Sequence, residues 1–213
     1  MAKKIVFIAL EDSFHEEIVD YEFFPGFAPI QKKKNVKSLE DAIHTKHPGY
    51  RVLEVSTKSN NELGVALSAF NLKLDGLSIE SIFQSSKVFL DGIQFDFLID
   101  YQPREAKKYI KEHAKVPLKC FRYKGQEYPL SPASAFYDYI YIKALLQNTT
   151  LSNQLINYDA FTDVEFNFNK SINCQARTCS IFSHLMKSGK LNEFISSFDK
   201  FITLYKESGL SLA

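Results

Sequence analysis

The sequence predicts a single α+β domain, mainly helical, with a small β-sheet or hairpins. Three observations carry this expectation. The chain has 213 residues, is 45% hydrophobic and 14% aromatic, and holds 19 Phe and 11 Tyr but no Trp, which is ample material for a core. Helix-length segments with capping residues outnumber the short, alternating, β-branched runs. No repeat, low-complexity linker or sharp change of composition divides the chain. Charge is balanced, 26 basic against 25 acidic residues for a net +1. That excludes a strongly basic nucleic-acid tail or an acidic disordered tail as the dominant character.

The elements follow in order. Residues 4–10 read as a short strand. Residues 11–37, with Pro25, Gly26, Pro29 and the run Lys32-Lys33-Lys34, read as an irregular segment. Ser38 is a candidate cap for a helix through Lys46, which Pro48-Gly49 stops. Residues 51–56 (RVLEVS) alternate as a strand, and 60–69 form a short helix. Residues 70–74 are a second strand, closed by Asp75-Gly76. Ser78 caps a helix to about Leu90, and a short helix follows at 93–99. Pro103 sits in the first turn of a helix through His113, where proline is tolerated. Residues 118–123 and 127–130 flank Lys124-Gly125-Gln126 as a hairpin. Ser131-Pro132 opens a long helix to Asn148, and another covers 151–157. Residues 158–169 are a loop or short strand, and helices at 174–188 and 191–206 flank Gly189.

Cys120, Cys174 and Cys179 form no Cys-x-x-Cys pattern, which argues against a disulfide framework or a structural zinc site. His44 and His47 lie three apart near a helix end and read as solvated surface. The apolar run 5–10 is ended by Glu11 and Asp12, too short for a secretory signal, and no segment reaches membrane-spanning length. The expectation is a cytoplasmic protein that needs no metal or cofactor.

The candidate chemistry begins on the Ser78–Leu90 helix. At helical spacing Glu80, Gln84 and Lys87 share one edge, beside the apolar face of Ile79, Ile82, Phe83 and Phe89. Spacing alone favours a solvated polar row over a reaction centre. A second cluster is Pro103-Arg104-Glu105-Ala106-Lys107-Lys108, whose cations suit phosphate or a charged helix start. A third is Asp159, Asp163 and Glu165 among Phe161, Phe166 and Phe168, either carboxylates with raised pKa values or a turn with aromatic anchors.

These fragments, in this order, resemble the NADAR family (YbiA-like N-glycosidases). Ser68-Ala69-Phe70-Asn71 is similar to its Ser-Asn-Phe-Tyr element, and residues 78–87 (SIESIFQSSK) to its Val-Glu-His-x-Tyr-Gln-x-x-Lys helix. Arg104-Glu105-Ala106-Lys107 matches its Glu-Ala-Lys element, and residues 136–148 its long helix ending in Gln-Asn. Residues 53–59 (LEVSTKS), 158–167 (YDAFTDVEFN) and 171–177 (SINCQAR) read like the NADAR antitoxins associated with DarT-type DNA ADP-ribosyltransferases. Ser81 stands where the family has histidine, and the Trp-Gly element near the acidic motif is absent. The resemblance covers roughly residues 50–187, so 1–50 read as an N-terminal extension, 51–190 as the family core and 191–213 as a C-terminal helix.

The resemblance implies a glycohydrolase that removes ADP-ribose from guanine bases of nucleic acid and serves as antitoxin to a DarT-type toxin. The alternatives are an N-glycosidase of riboflavin-pathway intermediates and a non-catalytic antitoxin that masks its toxin. The implied catalytic residues are Glu80, Lys87 and Asp163. Glu80 would stabilise a cationic anomeric carbon or activate water, and Lys87 would donate a proton or form a Schiff base. Candidate ligand contacts are Ser56, Lys58, Phe70, Asn71, Gln84, Arg104, Lys107, Phe161, Glu165, Asn173 and Gln175. The extension, with Lys32–Lys34, either lines a nucleic-acid cleft or only covers the core.

Overall fold

The computed structural model describes residues 1–167 and 171–207. In chain order the elements are β1 (Ala2–Ala9), β2 (Phe14–Tyr21), α1 (Pro29–Lys46), β3 (Val52–Glu54), α2 (Glu62–Ala66), β4 (Lys73–Leu74), β5 (Leu77–Ser78), α3 (Ile79–Ser85) and β6 (Lys87–Phe89). A 3-10 turn (Asp96–Asp100) precedes α4 (Pro103–His113), β7 (Leu118–Tyr123), β8 (Gln126–Tyr128), α5 (Ala135–Gln147) and α6 (Thr149–Leu155). Then come β9 (Ala160–Thr162), α7 (Gln175–Lys187), α8 (Leu191–Ile195) and α9 (Phe198–Glu207). Helix outweighs strand among the described residues, and the α+β class expected from the sequence holds. No helix among them is long and apolar enough to cross a membrane. The chain groups into two compact units, Met1–Ser68 with Asn148–Glu193, and Ala69–Gln147 with the segment from Phe194 onward.

The first unit is built on a four-stranded sheet in the order β2-β1-β9-β3. β1 and β2 form an antiparallel hairpin, while β3 runs parallel to β9. Every residue of β9 is buried, as in a central strand covered on both faces. Val6, Ile8, Val19 and Tyr21 pack with Leu39 and Ile43 of α1 and with Ala160. The expected irregular stretch over 11–37 is therefore corrected: it holds β2 and the first turns of α1. Pro29 starts α1 rather than interrupting it, because a first-turn proline has no intrahelical N–H to lose. Asn35 then binds the backbone before the helix, accepting from Phe24 N at 2.8 Å and donating to Phe24 O at 2.9 Å. α2 lies so close to β3 that a Cβ on Gly64 would stand 1.9 Å from Glu54 O and 2.4 Å from Ser59 Oγ.

The second unit holds α3, α4, α5, α9, the β4–β5 hairpin and the sheet β6-β7-β8. Ser78 caps α3 as expected, its hydroxyl accepting from Ser81 N at 3.0 Å. The helix ends at Ser85, short of the expected Leu90. There Ser85 and Ser86 hydroxyls donate back to Ile82 O, and Arg122 N donates to Ser86 O at 2.7 Å, which turns the chain into β6. α4 has its expected bounds and buries Ala106 and Ile110 against Phe89 and Leu98. The β7–β8 turn places Lys124 and Gly125 at positive φ (49° and 78°), the geometry a two-residue hairpin requires. α5 is buried nearly all round, and its Asp138 accepts from Ser134 Oγ at 2.8 Å and Tyr205 Oη at 2.6 Å.

Candidate active site

The second unit contains a short polar chain along α3 and the start of β6. Gln84 Nε2 donates to Glu80 Oε1 at 2.7 Å, and Lys87 Nζ donates to Gln84 Oε1 at 2.7 Å. Lys107, from α4, stands 3.6 Å from the same Glu80 oxygen and 5.8 Å over the Phe70 ring. Glu80 and Gln84 are buried, and Glu80 Oε2 carries no hydrogen bond among the described residues. Lys87 lies 4.8 Å over the Phe83 ring. Burial pushes its ammonium down to about 8, against the pull of the Glu80 charge and with some help from Lys107. Lys87 belongs to β6, not α3, so the helical spacing that pointed to it was the wrong reason. The strand still turns its amine back onto the Gln84 amide.

The first unit contains a different carboxylate centre. Glu54, at the end of β3, accepts from Ser56 Oγ and Thr162 Oγ1, both at 2.6 Å. Val164 N donates to its two oxygens at 3.0 and 3.2 Å. Asp163 Oδ1 accepts from Glu165 N at 2.9 Å and Phe166 N at 3.1 Å, which holds the turn after β9. Burial raises Asp163 to about 7, and the neighbouring Glu54 charge adds to this, while Lys4 and the Gln175 side chain oppose it. Burial also raises Glu54, against its hydroxyl donors. Lys4 is lowered by burial and donates to Phe166 O. A cavity of about 280 Å³ opens beside this centre, with Glu54, Thr162, Ser59, Asn60 and Asn61 in its wall.

The sequence candidates thus divide between the units. Glu80, Gln84, Lys87, Lys107 and Phe70 come together in the second, with Arg104 and Asn71 exposed nearby in sequence. Ser81, in the place of the family histidine, donates to Tyr101 O at 3.0 Å and ties α3 to the chain entering α4. Asp163 and Gln175 meet in the first unit. Ser56 is buried with its hydroxyl turned to Glu54, and Lys58 donates its backbone N–H to Ser56 Oγ at 3.1 Å. Glu165 is exposed and pairs with Lys32 at 2.9 Å, so one lysine of the basic run is already engaged. Asn173 is half-buried just before α7. Phe161 is corrected: it is fully buried in the middle of β9 and is core, not a stacking surface. Phe168 lies outside the described residues.

Sequence reasoning missed Glu54, Thr162 and Lys4. The signal for Glu54 was an acidic residue inside the alternating run RVLEVS, on the same strand face as Ser56. A carboxylate there has to find donors, because burying it unpaired is costly.

A family model described as the DarT1-associated NADAR antitoxin matches residues 2–211. The chain belongs to this family. The match takes in the first fifty residues, and β1 and β2 are accordingly built into the main sheet. No curated protein matches the chain.

Proposed function

We propose that this NADAR antitoxin removes ADP-ribose from guanine bases of nucleic acid, reversing the modification made by a DarT-type toxin. The observation that carries the reading is Lys87, a half-buried amine with its pKa near 8 that is linked through Gln84 to the buried Glu80. Cleavage at an anomeric carbon needs a proton for the oxygen or nitrogen that leaves and a nucleophile for the carbon. The proton carried by Lys87 serves the first need, and the amine it leaves behind serves the second.

In this mechanism Lys87 gives its proton to the ribose ring oxygen, and the C–O bond opens to an iminium between the anomeric carbon and the guanine nitrogen. The neutral Lys87 amine adds to that carbon. Its surplus proton moves by way of Glu80 to the guanine nitrogen, and the C–N bond to guanine breaks. Water adds to the resulting lysine imine. ADP-ribose leaves as its aldehyde, which closes to the ring, and Lys87 is regenerated. Glu80 also stabilises the positive charge at the anomeric carbon. Lys107 balances the Glu80 charge before substrate binds.

The test is product analysis on an oligonucleotide with one ADP-ribosylated guanine. Release of ADP-ribose with unmodified guanine restored is expected. With cyanoborohydride present, an adduct on Lys87 is expected by mass spectrometry, and turnover without an adduct removes the imine step. Cleavage of riboflavin-pathway intermediates alone would replace the substrate. A stable toxin complex with no ADP-ribose released would make the protein a masking antitoxin.

A further inference from the structure

α4 carries an unusual distribution of charge. At 100° per residue, Lys107, Lys111, Arg104 and Lys108 fall within about 100° of arc. Glu105 and Glu112 lie on the next sector, and Ala106 and Ile110 face the core. All four cations are exposed. Arg104 and Lys111 have no ion pair among the described residues, and Lys108 has only a loose one, 3.8 Å to Glu112. The stripe is not a general feature of the chain, whose net charge is +1. Its edge nearest the core is Lys107, which stands 3.6 Å from Glu80. The stripe therefore begins at the proposed reaction centre and runs outward.

We propose that this stripe of α4 is the docking surface for the phosphodiester backbone flanking the modified guanine. The inference rests on the activity proposed above and names the surface that makes it a nucleic-acid activity. Residues four apart on a helix rise about 6 Å along its axis. That is close to the separation of successive phosphates in a single strand, so Lys107–Lys111 and Arg104–Lys108 match two neighbouring phosphates. The diphosphate of ADP-ribose is one compact group and does not need cations spread over two turns. Arginine and lysine at exposed positions bind phosphate without reading sequence, as suits an enzyme that must follow a modification into varied surroundings.

The test compares two substrates, an ADP-ribosylated guanosine nucleoside and a single-stranded oligonucleotide carrying the same modified base. For Lys108→Ala/Lys111→Ala, KM on the oligonucleotide is expected to rise about tenfold at low salt. The slope of log affinity against log salt should fall by about 1.4, the loss of two phosphate contacts on a single strand. kcat/KM on the nucleoside is expected to stay unchanged, and Lys108→Arg/Lys111→Arg to restore oligonucleotide binding. Unchanged KM and salt slope on the oligonucleotide would overturn the proposal. Equal losses on both substrates would overturn it too, since the stripe would then hold ADP-ribose itself. If the wild type released ADP-ribose from neither substrate, the proposed activity would fail instead. Fluorescence anisotropy with unmodified oligonucleotide then decides the surface separately: binding whose salt slope drops in the double variant supports it, and no binding overturns it.

Discussion

Glu54 and Glu80 are both buried carboxylates, one in each compact unit, and their surroundings differ in kind. Glu54 has its oxygens filled by two hydroxyls and a backbone N–H, all donors fixed by β3, β9 and the turn after β9. Such a carboxylate joins strands distant in sequence and has little capacity left for a substrate. Glu80 is held by a single amide donor and faced by two lysines, one at 3.6 Å and one through Gln84, and its second oxygen is open. Burial alone therefore does not mark the reactive carboxylate, and neither does a raised pKa, which the structure gives to the Glu54–Asp163 centre. In the proposed mechanism, what distinguishes Glu80 is an unfilled oxygen beside an amine whose charge has been weakened.

The contrast can be broken by exchanging charge for neutrality at each centre. The largest effect is expected at Lys87. Lys87→Ala should lower kcat by about 10³-fold, with the thermal midpoint at pH 7 no lower than in the wild type. Losing a half-buried lysine whose folded pKa is depressed removes a cost to the folded state rather than a gain. A loss of folding in place of a loss of turnover would erase the distinction between the centres. Next in size is Gly64→Ala in the first unit, where the added methyl meets Glu54 O and Ser59 Oγ. It should destabilise by about 3 kcal/mol in urea unfolding. Unchanged stability would show that β3 and α2 are free to separate.

Asp163→Asn sharpens the comparison from the other side. Burial raises Asp163 from its ordinary 3.8 to about 7, so the folded state holds the extra proton between these values. Its contribution to stability is present at low pH and lost as pH rises through about 7. The asparagine keeps the oxygen that receives Glu165 N and Phe166 N. The variant should therefore flatten the fall in stability between about pH 4 and pH 7 and be a few degrees more stable than the wild type at pH 8. A kcat loss as large as that of Lys87→Ala, with the fold intact, would instead place Asp163 at the ribose. The smallest effect is in the wild-type pH profile. kcat/KM should fall above about pH 8, as Lys87 loses its proton. A rate that keeps rising to pH 10 would contradict Lys87 as the proton donor.

Much of the second unit was legible in the sequence because its signals are local. Ser78 announces α3, Pro103 opens α4, and Lys124-Gly125 turns the hairpin, each within a few residues of what it controls. Glu80 and Gln84 follow from the cap. The first unit was less legible because its sheet is not local. β3 pairs with β9 in parallel across more than a hundred residues, so nothing beside Glu54 reveals that Thr162 and Val164 receive it. Pro29 reads as a breaker in the sequence, whereas Pro103, in the same first-turn position, reads as a helix start. The difference was the neighbouring Pro25 and Gly26, which suggested a loop and hid the start of α1. Phe161 is a candidate partner for a base on the grounds that the bases need flat apolar faces, a criterion that a core ring meets equally well. Here the buried triplet 160–162 is the middle of a sheet.

The central claim is that Glu80, with Lys87, breaks the bond between ADP-ribose and guanine. Initial rates of ADP-ribose release from an ADP-ribosylated guanine oligonucleotide, measured for the wild type and Glu80→Gln with matching circular dichroism and thermal midpoints, test it most directly. The expected result is a 10²- to 10³-fold loss of kcat at nearly unchanged KM, roughly the range for removing one electrostatic partner of a transition state. Full turnover by folded Glu80→Gln would contradict the account.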